Sequence, residues 1–229
     1  MSGSRITASG LEKTYHRGGE SLCVLDHVDF DIAEGEFVAL TGPSGSGKST
    51  ILHFVGGLDH PDGGSIVVGD TEVSALSKSK LAEWRSQNVG FIFQSFNLLP
   101  VLTAIENVEL PLILQPLSKS QRREKAEFAL EIVGLQDRMT HRPKELSGGQ
   151  EQRVAIARAI VTDPDVILAD EPTGDLDRVS ADQILDILKR LSTEHNKTII
   201  MVTHDPAAAA YADRVLSLDK GQFVEGAGK

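Results

Sequence analysis

One stretch limits what this chain can become more than any other: Thr41-Gly42-Pro43-Ser44-Gly45-Ser46-Gly47-Lys48-Ser49-Thr50. The apolar run Phe37-Val38-Ala39-Leu40 precedes it, and Ile51-Leu52-His53-Phe54-Val55 follows. The order is strand, glycine-rich turn, helix start, with the pattern G-x-x-x-x-G-K-S inside it. Glycines let successive backbone N–H groups curl inward into an anion-binding nest, and the helix adds its positive N-terminal end. Lys48 brings a point charge for outer phosphates, and Ser49 a hydroxyl for Mg²⁺. An ordinary glycine turn is the competing account. By composition the fixed residues of this pattern recur by accident in roughly one chain of this length in a hundred. The strand–loop–helix setting makes accident rarer, so the stretch is read as a nucleotide phosphate site.

A chain of 229 residues has room for one large α/β core with an inserted subdomain. Its formal net charge of −10 argues against sequence-independent nucleic-acid binding, because the phosphate backbone would be repelled. Arg122-Arg123 is the one short basic cluster. The single cysteine, Cys23, excludes an internal disulfide framework and an all-cysteine metal site. It is expected to fill apolar space, and a reducing, cytoplasmic setting fits. Met1-Ser2-Gly3-Ser4 is no basic segment leading into an apolar core, so no signal peptide is expected. No run approaches the roughly 20 apolar residues that span a bilayer.

Residues 4–35 read as β structure, 36–41 as a buried strand, and the helix after Gly47 as ending near Gly56-Gly57. Pro61-Asp62-Gly63-Gly64 is a turn before a short strand, Ser65–Val68; residues 77–87 read as helix and Val89–Phe93 as a strand ending at Gln94. From Ser95 to about residue 161 the pattern is helical, with capping boxes at Thr103-x-x-Glu106 and Ser118-x-x-Gln121. Ala126, Ala129, Leu130 and Val133 share one face of the second of these helices, which Gly134 ends. Val166–Ala169 and Thr198–Val202 are dense apolar runs typical of buried parallel strands. Between them a helix is expected from a box at Ser180-x-x-Gln183, with Ile184, Ile187, Leu188 and Leu191 inward. This alternation predicts a parallel sheet with crossover helices. The tail Glu225–Lys229 is expected to fray.

Asp170 and Glu171 follow directly on the strand Val166–Ala169, at the carboxyl end where open α/β sheets place ligands. Asp170 suits a metal-organising acid, and Glu171, facing the other way, a base for water. A solvated acidic pair is the bland alternative, and the phosphate loop outweighs it. Leu146-Ser147-Gly148-Gly149-Gln150 places a serine and two glycines at the start of a helix read as Gln152–Val161: a second anion site with bare backbone. Its bland alternative is a glycine-softened cap, but chance gives five such residues in well under roughly one chain in a thousand.

These residues resemble the ATP-binding-cassette (ABC) ATPases, and the resemblance covers nearly the whole chain. In family order the chain offers Tyr15, Gly42–Thr50, Gln94, Leu146–Gln150, Val166–Glu171, Gly174-Asp175-Leu176-Asp177 and His204. The resemblance implies a P-loop NTPase with a RecA-like core, an N-terminal antiparallel β subdomain and an inserted helical subdomain. One cassette domain would span 1–229, with core and β subdomain at about 1–94 and 162–229 and the helical insert at about 95–161. Tyr15, set before the first strand core, would stack on adenine; Gly42, Pro43, Ser44, Gly45, Ser46, Gly47, Lys48, Ser49 and Thr50 would hold ATP. Ser49, Asp170 and Gln94 would serve Mg²⁺. Glu171, His204, Gln94 and Lys48 would act in catalysis, and Asp177 in the D-loop. Family cassettes pack head to tail, so Ser147, Gly148, Gly149 and Gln150 would close on the partner copy's ATP. Taken alone, a strand tyrosine, a strand-end glutamine or a lone histidine is more often structural, and the other histidines are left without a role. Glu151 and Asp175 depart from the commonest pattern; Glu151 is expected to face outward.

The stretch Ser95–Pro111 is similar to one branch, the cassettes of the macrolide-exporter, lipoprotein-releasing and cell-division group. That likeness implies a homodimeric ATPase motor, peripheral on the cytoplasmic face, driving a membrane permease docked around Phe96–Leu102. The alternative is a regulatory cassette that relays ATP state and transports nothing. DNA-repair and translation cassettes are disfavoured by short length and acidic charge.

Overall fold

The densest apolar runs become the central strands of a parallel sheet, and the glycine-rich turn leaves that sheet at its middle. The computed structural model describes residues 3–18 and 20–224. In chain order the strands are β1 (Ile6–Arg17), β2 (Glu20–Ile32), β3 (Phe37–Thr41), β4 (Gly63–Val68), β5 (Thr71–Glu72), β6 (Val89–Phe93), β7 (Val166–Asp170), β8 (Thr198–Val202), β9 (Arg214–Asp219) and β10 (Gln222–Val224). The helices are α1 (Lys48–Val55), α2 (Lys78–Asn88), α3 (Ala104–Glu109), α4 (Lys119–Ile132), α5 (Gly148–Ile160), α6 (Arg178–Thr193) and α7 (Pro206–Ala209).

Six strands form the core sheet in the order β10-β9-β3-β8-β7-β6, parallel except for β10 on β9. Because β3, β7 and β8 are covered on both faces, they read as unbroken apolar runs rather than alternating ones. The pleat still sorts their side chains. Phe37, Ala39, Ile167, Ala169, Ile199 and Met201 join the cluster that buries α3 to α6. Val38, Leu40, Val166, Leu168, Ile200 and Val202 face α1 and a second, antiparallel sheet in the order β2-β1-β4-β5. The result is the α/β architecture expected, with its antiparallel sheet. Leu40 pairs with Val202, Val202 with Asp170 and Asp170 with Phe93, so the carboxyl ends of β3, β8, β7 and β6 stand level.

Both predicted capping boxes form: Thr103 with Glu106 at α3, and Ser118 with Gln121 at α4. Several expectations need correction. No box forms at Ser180; α6 starts earlier, where the Asp177 carboxylate accepts from both the Ser180 N–H (3.0 Å) and its hydroxyl (2.8 Å). An acid at the positive helix end outcompetes the later serine. Leu185 is buried beside Ile184, Leu188 and Leu191, while Ile187 is only half-buried. Helix α5 starts at Gly148 rather than Gln152, so both glycines lie in its first turn. Residues 95–103 form an irregular loop, not a helix. Tyr15 lies inside β1, towards its carboxyl end. Cys23 is exposed on β2 instead of filling apolar space. The arginine cluster is engaged: Arg122 donates to the Leu117 carbonyl and Arg123 pairs with Glu109. The tail 225–229 lies outside the described residues.

His27, left without a role by the sequence, closes the bend of β2 over β1. Its Nδ1 stands 2.9 Å from Asp26 Oδ1 and its Nε2 2.8 Å from Glu12 Oε1. The hydrogen bond to Asp26 and the charge of Glu12 hold the imidazole above its ordinary value. A raised histidine stabilises fully below the unfolded value of roughly 6.5 and loses the effect as pH climbs through the folded one. Urea midpoints of the native protein and His27→Ala, compared from pH 6 to pH 9, should therefore differ most at pH 6 and converge at the alkaline end.

Candidate nucleotide site

The level strand ends gather the site from separate parts of the chain. Above β3 the backbone turns through Gly42 (φ 138), Gly45 (φ 78) and Gly47 (φ 106), all in the region that L side chains avoid. Two of these glycines are required for space as well: a Cβ on Gly42 would meet the Leu218 carbonyl oxygen at 2.0 Å, and one on Gly47 Leu25 Cδ2 at 2.7 Å. Gly47 caps α1 with no side-chain hydrogen bond, so the bare N–H groups of the first turn face the loop. Lys48 is 8 % exposed, and its Nζ donates to the carbonyls of Gly42 (2.9 Å) and Pro43 (2.8 Å), which holds the ammonium across the hollow.

Around this hollow lies a cleft of about 410 Å³, lined by Tyr15, Leu22, Val24, residues of the glycine loop from Gly42 to Thr50, Glu171, Val202 and His204. That volume falls in the range of small-molecule sites. Tyr15 pairs across the ladder with Leu22, and Leu22 and Val24 share a face of β2, giving the far end an apolar floor. The sequence reading gave Leu22 and Val24 no part in the site. Their alternation in a β segment beside Tyr15 was the available signal.

On the sheet side, Ser49 Oγ donates to Asp170 Oδ1 at 3.4 Å. Burial first, and then the adjacent charge of Glu171, push the Asp170 carboxyl above the usual range. A hydroxyl and a crowded carboxylate form an all-oxygen, anionic donor set that suits Mg²⁺. No cluster of three or more His, Cys, Asp or Glu able to hold a metal occurs among the described residues. Glu171 turns away from Asp170 because its backbone is left-handed (φ 49), with its N–H donated to Val202 O at 3.0 Å. Its Oε2 lies 3.0 Å from His204 Nδ1.

Other predicted residues sit apart from the cleft. Gln94 is turned aside: its Nε2 donates to Asp175 Oδ1 at 2.9 Å, which gives the unusual Asp175 a partner. Ser147, Gly148, Gly149 and Gln150 do not line the cleft at all. Ser147 and Gln150 form a capping box, and a Cβ on Gly149 would meet Ser180 Oγ at 2.8 Å, so that glycine lets α5 and α6 approach. Glu151 is half-buried rather than outward, and burial raises its carboxyl.

Two further side chains, unremarked in the sequence, tie these pieces together. Gln152 is fully buried and donates Nε2 to Pro172 O (2.6 Å) and Phe93 O (3.3 Å), joining α5 to the flanks of Glu171 and Gln94. Arg158 donates to the carbonyls of Phe96 (2.8 Å) and Asn97 (2.6 Å), both at positive φ, and so holds the loop after Gln94.

The arrangement is that of a nucleotide-binding cassette, and comparison with known proteins agrees. A family model described as ABC transporter matches residues 25–174, and the chain belongs to that family. It is similar to the lipoprotein-releasing system ATP-binding protein LolD of Legionella pneumophila, 45% identical over 95% of this chain and 96% of that protein. It is 49% identical to the macrolide export ATP-binding/permease protein MacB 1/2 of Paracoccus denitrificans, over 96% of this chain but 33% of the longer protein. Among solved structures it resembles the dimeric, post-hydrolysis state of the ATP-binding cassette MJ0796 bound to ADP and Pi, at TM-score 0.87 and 43% identity, covering 95% and 96% of the two chains. MJ0796 is from Methanocaldococcus jannaschii.

Gly47→Ala is the sharpest test of the loop. A left-handed alanine costs on the order of 1–3 kcal/mol before the clash with Leu25 is counted. Urea unfolding should show at least that loss, and titration with ATP should show binding lost as well.

Proposed function

We propose that this chain is the ATP-binding and ATP-hydrolysing subunit of a membrane transport machine, working as a head-to-tail pair of copies on the cytoplasmic face. The observation that carries the reading is the level edge of the sheet, where the glycine loop and the Glu171–His204 pair line one cleft and Asp170 stands beside it against Ser49. The start of α5 standing outside that cleft supports a role for Ser147–Gln150 on the partner copy's nucleotide. The dimeric relative bound to ADP and Pi supports both hydrolysis and pairing.

In this reading the backbone N–H groups from Gly42 to Thr50 and the Lys48 ammonium bind the triphosphate. Tyr15, Leu22 and Val24 receive the base. Ser49 and Asp170, with Gln94 once released from Asp175, hold Mg²⁺, which draws charge from the phosphate oxygens when bound. Glu171 accepts the proton of the attacking water, and His204 orients that carboxylate and reaches the terminal phosphate. Asp177 caps α6 at the D-loop, between the two copies. Residues 95–161 act as a helical subdomain that moves with the partner. Within the loop Phe96–Leu102, Val101 is 71 % exposed while Leu98 packs on the core, which suits a groove with a packed floor for a short helix of a permease. No helix among the described residues is long and apolar enough to cross a membrane. The names of the relatives, lipoprotein-releasing and macrolide export, support cargo of lipoprotein or drug type.

Glu171→Gln tests the reading. A missing general base lowers turnover about 10²- to 10⁴-fold while leaving ATP binding intact. The variant with MgATP should elute from gel filtration as a dimer. Turnover at the native rate would remove Glu171 from its role, and a variant that stays monomeric at high concentration would remove the paired arrangement.

A further inference from the structure

The base end of the cleft is backed by a half-buried cation to which the sequence assigns no role. Lys13 lies two residues before Tyr15 on β1, and its side chain is 11 % exposed. Its Nζ sits 5.3 Å from the centroid of the Tyr15 ring and 5.6 Å from that of Phe54, a core residue of α1. The ammonium thus stands over the Tyr15 ring, between it and Phe54, while Tyr15 also lines the cleft.

Three oxygens fix it there: Nζ donates to the His60 carbonyl at 2.7 Å and to Asp62 Oδ1 at 3.2 Å, and lies 3.5 Å from Asp59 Oδ2. Tyr15 is held from the same turn, since its hydroxyl donates to Asp59 Oδ2 at 3.3 Å. The Thr14 N–H, between the two residues, donates to Asp62 Oδ2 at 2.8 Å. One turn therefore clamps the lysine, the tyrosine and the backbone joining them. The cation also draws on the ring's negative face and favours one ring orientation among those open to a partly exposed tyrosine.

We infer that Lys13 is a positioning residue for the nucleotide base: with Asp59 it holds Tyr15 as a rigid platform, so that affinity for the base, and not for the phosphates, depends on it. This rests on the reading of Tyr15 as the base platform. The experiment compares two probes by calorimetry on the full chain, MgATP and inorganic tripolyphosphate with Mg²⁺. The second engages the glycine loop and has no base to stack. Lys13→Met should weaken ATP binding about three- to tenfold, between the effects of an exposed and a desolvated cation–π contact, and leave tripolyphosphate binding unchanged. Lys13→Arg, which keeps a cation over the ring, should recover most of the loss. In a Tyr15→Ala background Lys13→Met should have no further effect.

Equal ATP affinity of Lys13→Met and the native protein would overturn the inference while sparing the platform, as would an equal loss for both probes. A native protein that binds ATP no tighter than tripolyphosphate would overturn the platform itself, and the inference with it. Should Lys13→Met fail to fold, Lys13→Arg and Tyr15→Phe decide. Tyr15→Phe removes the hydroxyl anchor to Asp59 alone, and a selective loss of ATP affinity is expected. Unchanged ATP affinity in Tyr15→Phe would overturn the inference, because the ring would then need no hold from the turn at Asp59.

Discussion

Everything in this molecule depends on backbone N–H groups made available by a turn that only glycine can make. Gly42 and Gly47 combine left-handed backbone with neighbours too close for a Cβ. The strand behind them must therefore stop at a fixed place, and the helix after them must start without a side-chain cap. That unfilled helix start is the source of the local positive potential in a chain of net charge −10. Lys48 adds the one mobile charge, held on the Gly42 and Pro43 carbonyls.

Around that turn the sheet acts as a ruler. Parallel pairing places Leu40, Val202, Asp170 and Phe93 side by side, so residues widely separated in sequence leave their strands at one height. What each does next is set locally. Glu171 adopts a left-handed backbone and reaches His204, Asp170 stays in line with Ser49, and Gln94 is drawn towards Asp175. A buried amide and a half-buried guanidinium from α5, Gln152 and Arg158, then bind the exits of β6 and β7 to the helices.

Much of this was legible in the residues themselves. Strands β7 and β8 announce themselves as dense apolar runs because both faces are covered, and the boxes at Thr103 and Ser118 mark their helices because their hydrogen bonds are local. The box read at Ser180 failed for a reason of the same kind: Asp177, an acid three residues earlier, offers a stronger cap at the same helix end. The exposure of Cys23 was out of reach, since it depends on which face of β2 meets the core. The same holds for Gln152, whose partners Phe93 and Pro172 lie far away in the chain. The glycine-loop end of the cleft could be read from a contiguous motif; at the other end Tyr15 could be read only through the family resemblance, and Leu22 and Lys13 not at all, because these acquire meaning only through strand pairing and the turn at Asp59.

The level strand ends carry a consequence for how such a chain can change over time. Adding or deleting one residue inside β3, β6, β7 or β8 would displace its exit by about 3.3 Å and turn every later side chain to the opposite face. No rotamer adjustment at Asp170 or Glu171 recovers a shift of that size. Away from the glycine loop and the residues at the strand exits, the connections carry no such restriction, because lengthening an excursion costs little entropy. The segment between β6 and β7 is the largest of these excursions, and outside α5, whose Gln152 and Arg158 hold the strand exits, it can grow or shrink while the height of those exits stays untouched. Diversification in this architecture is thus confined to the detours, with the number of rungs per strand held constant.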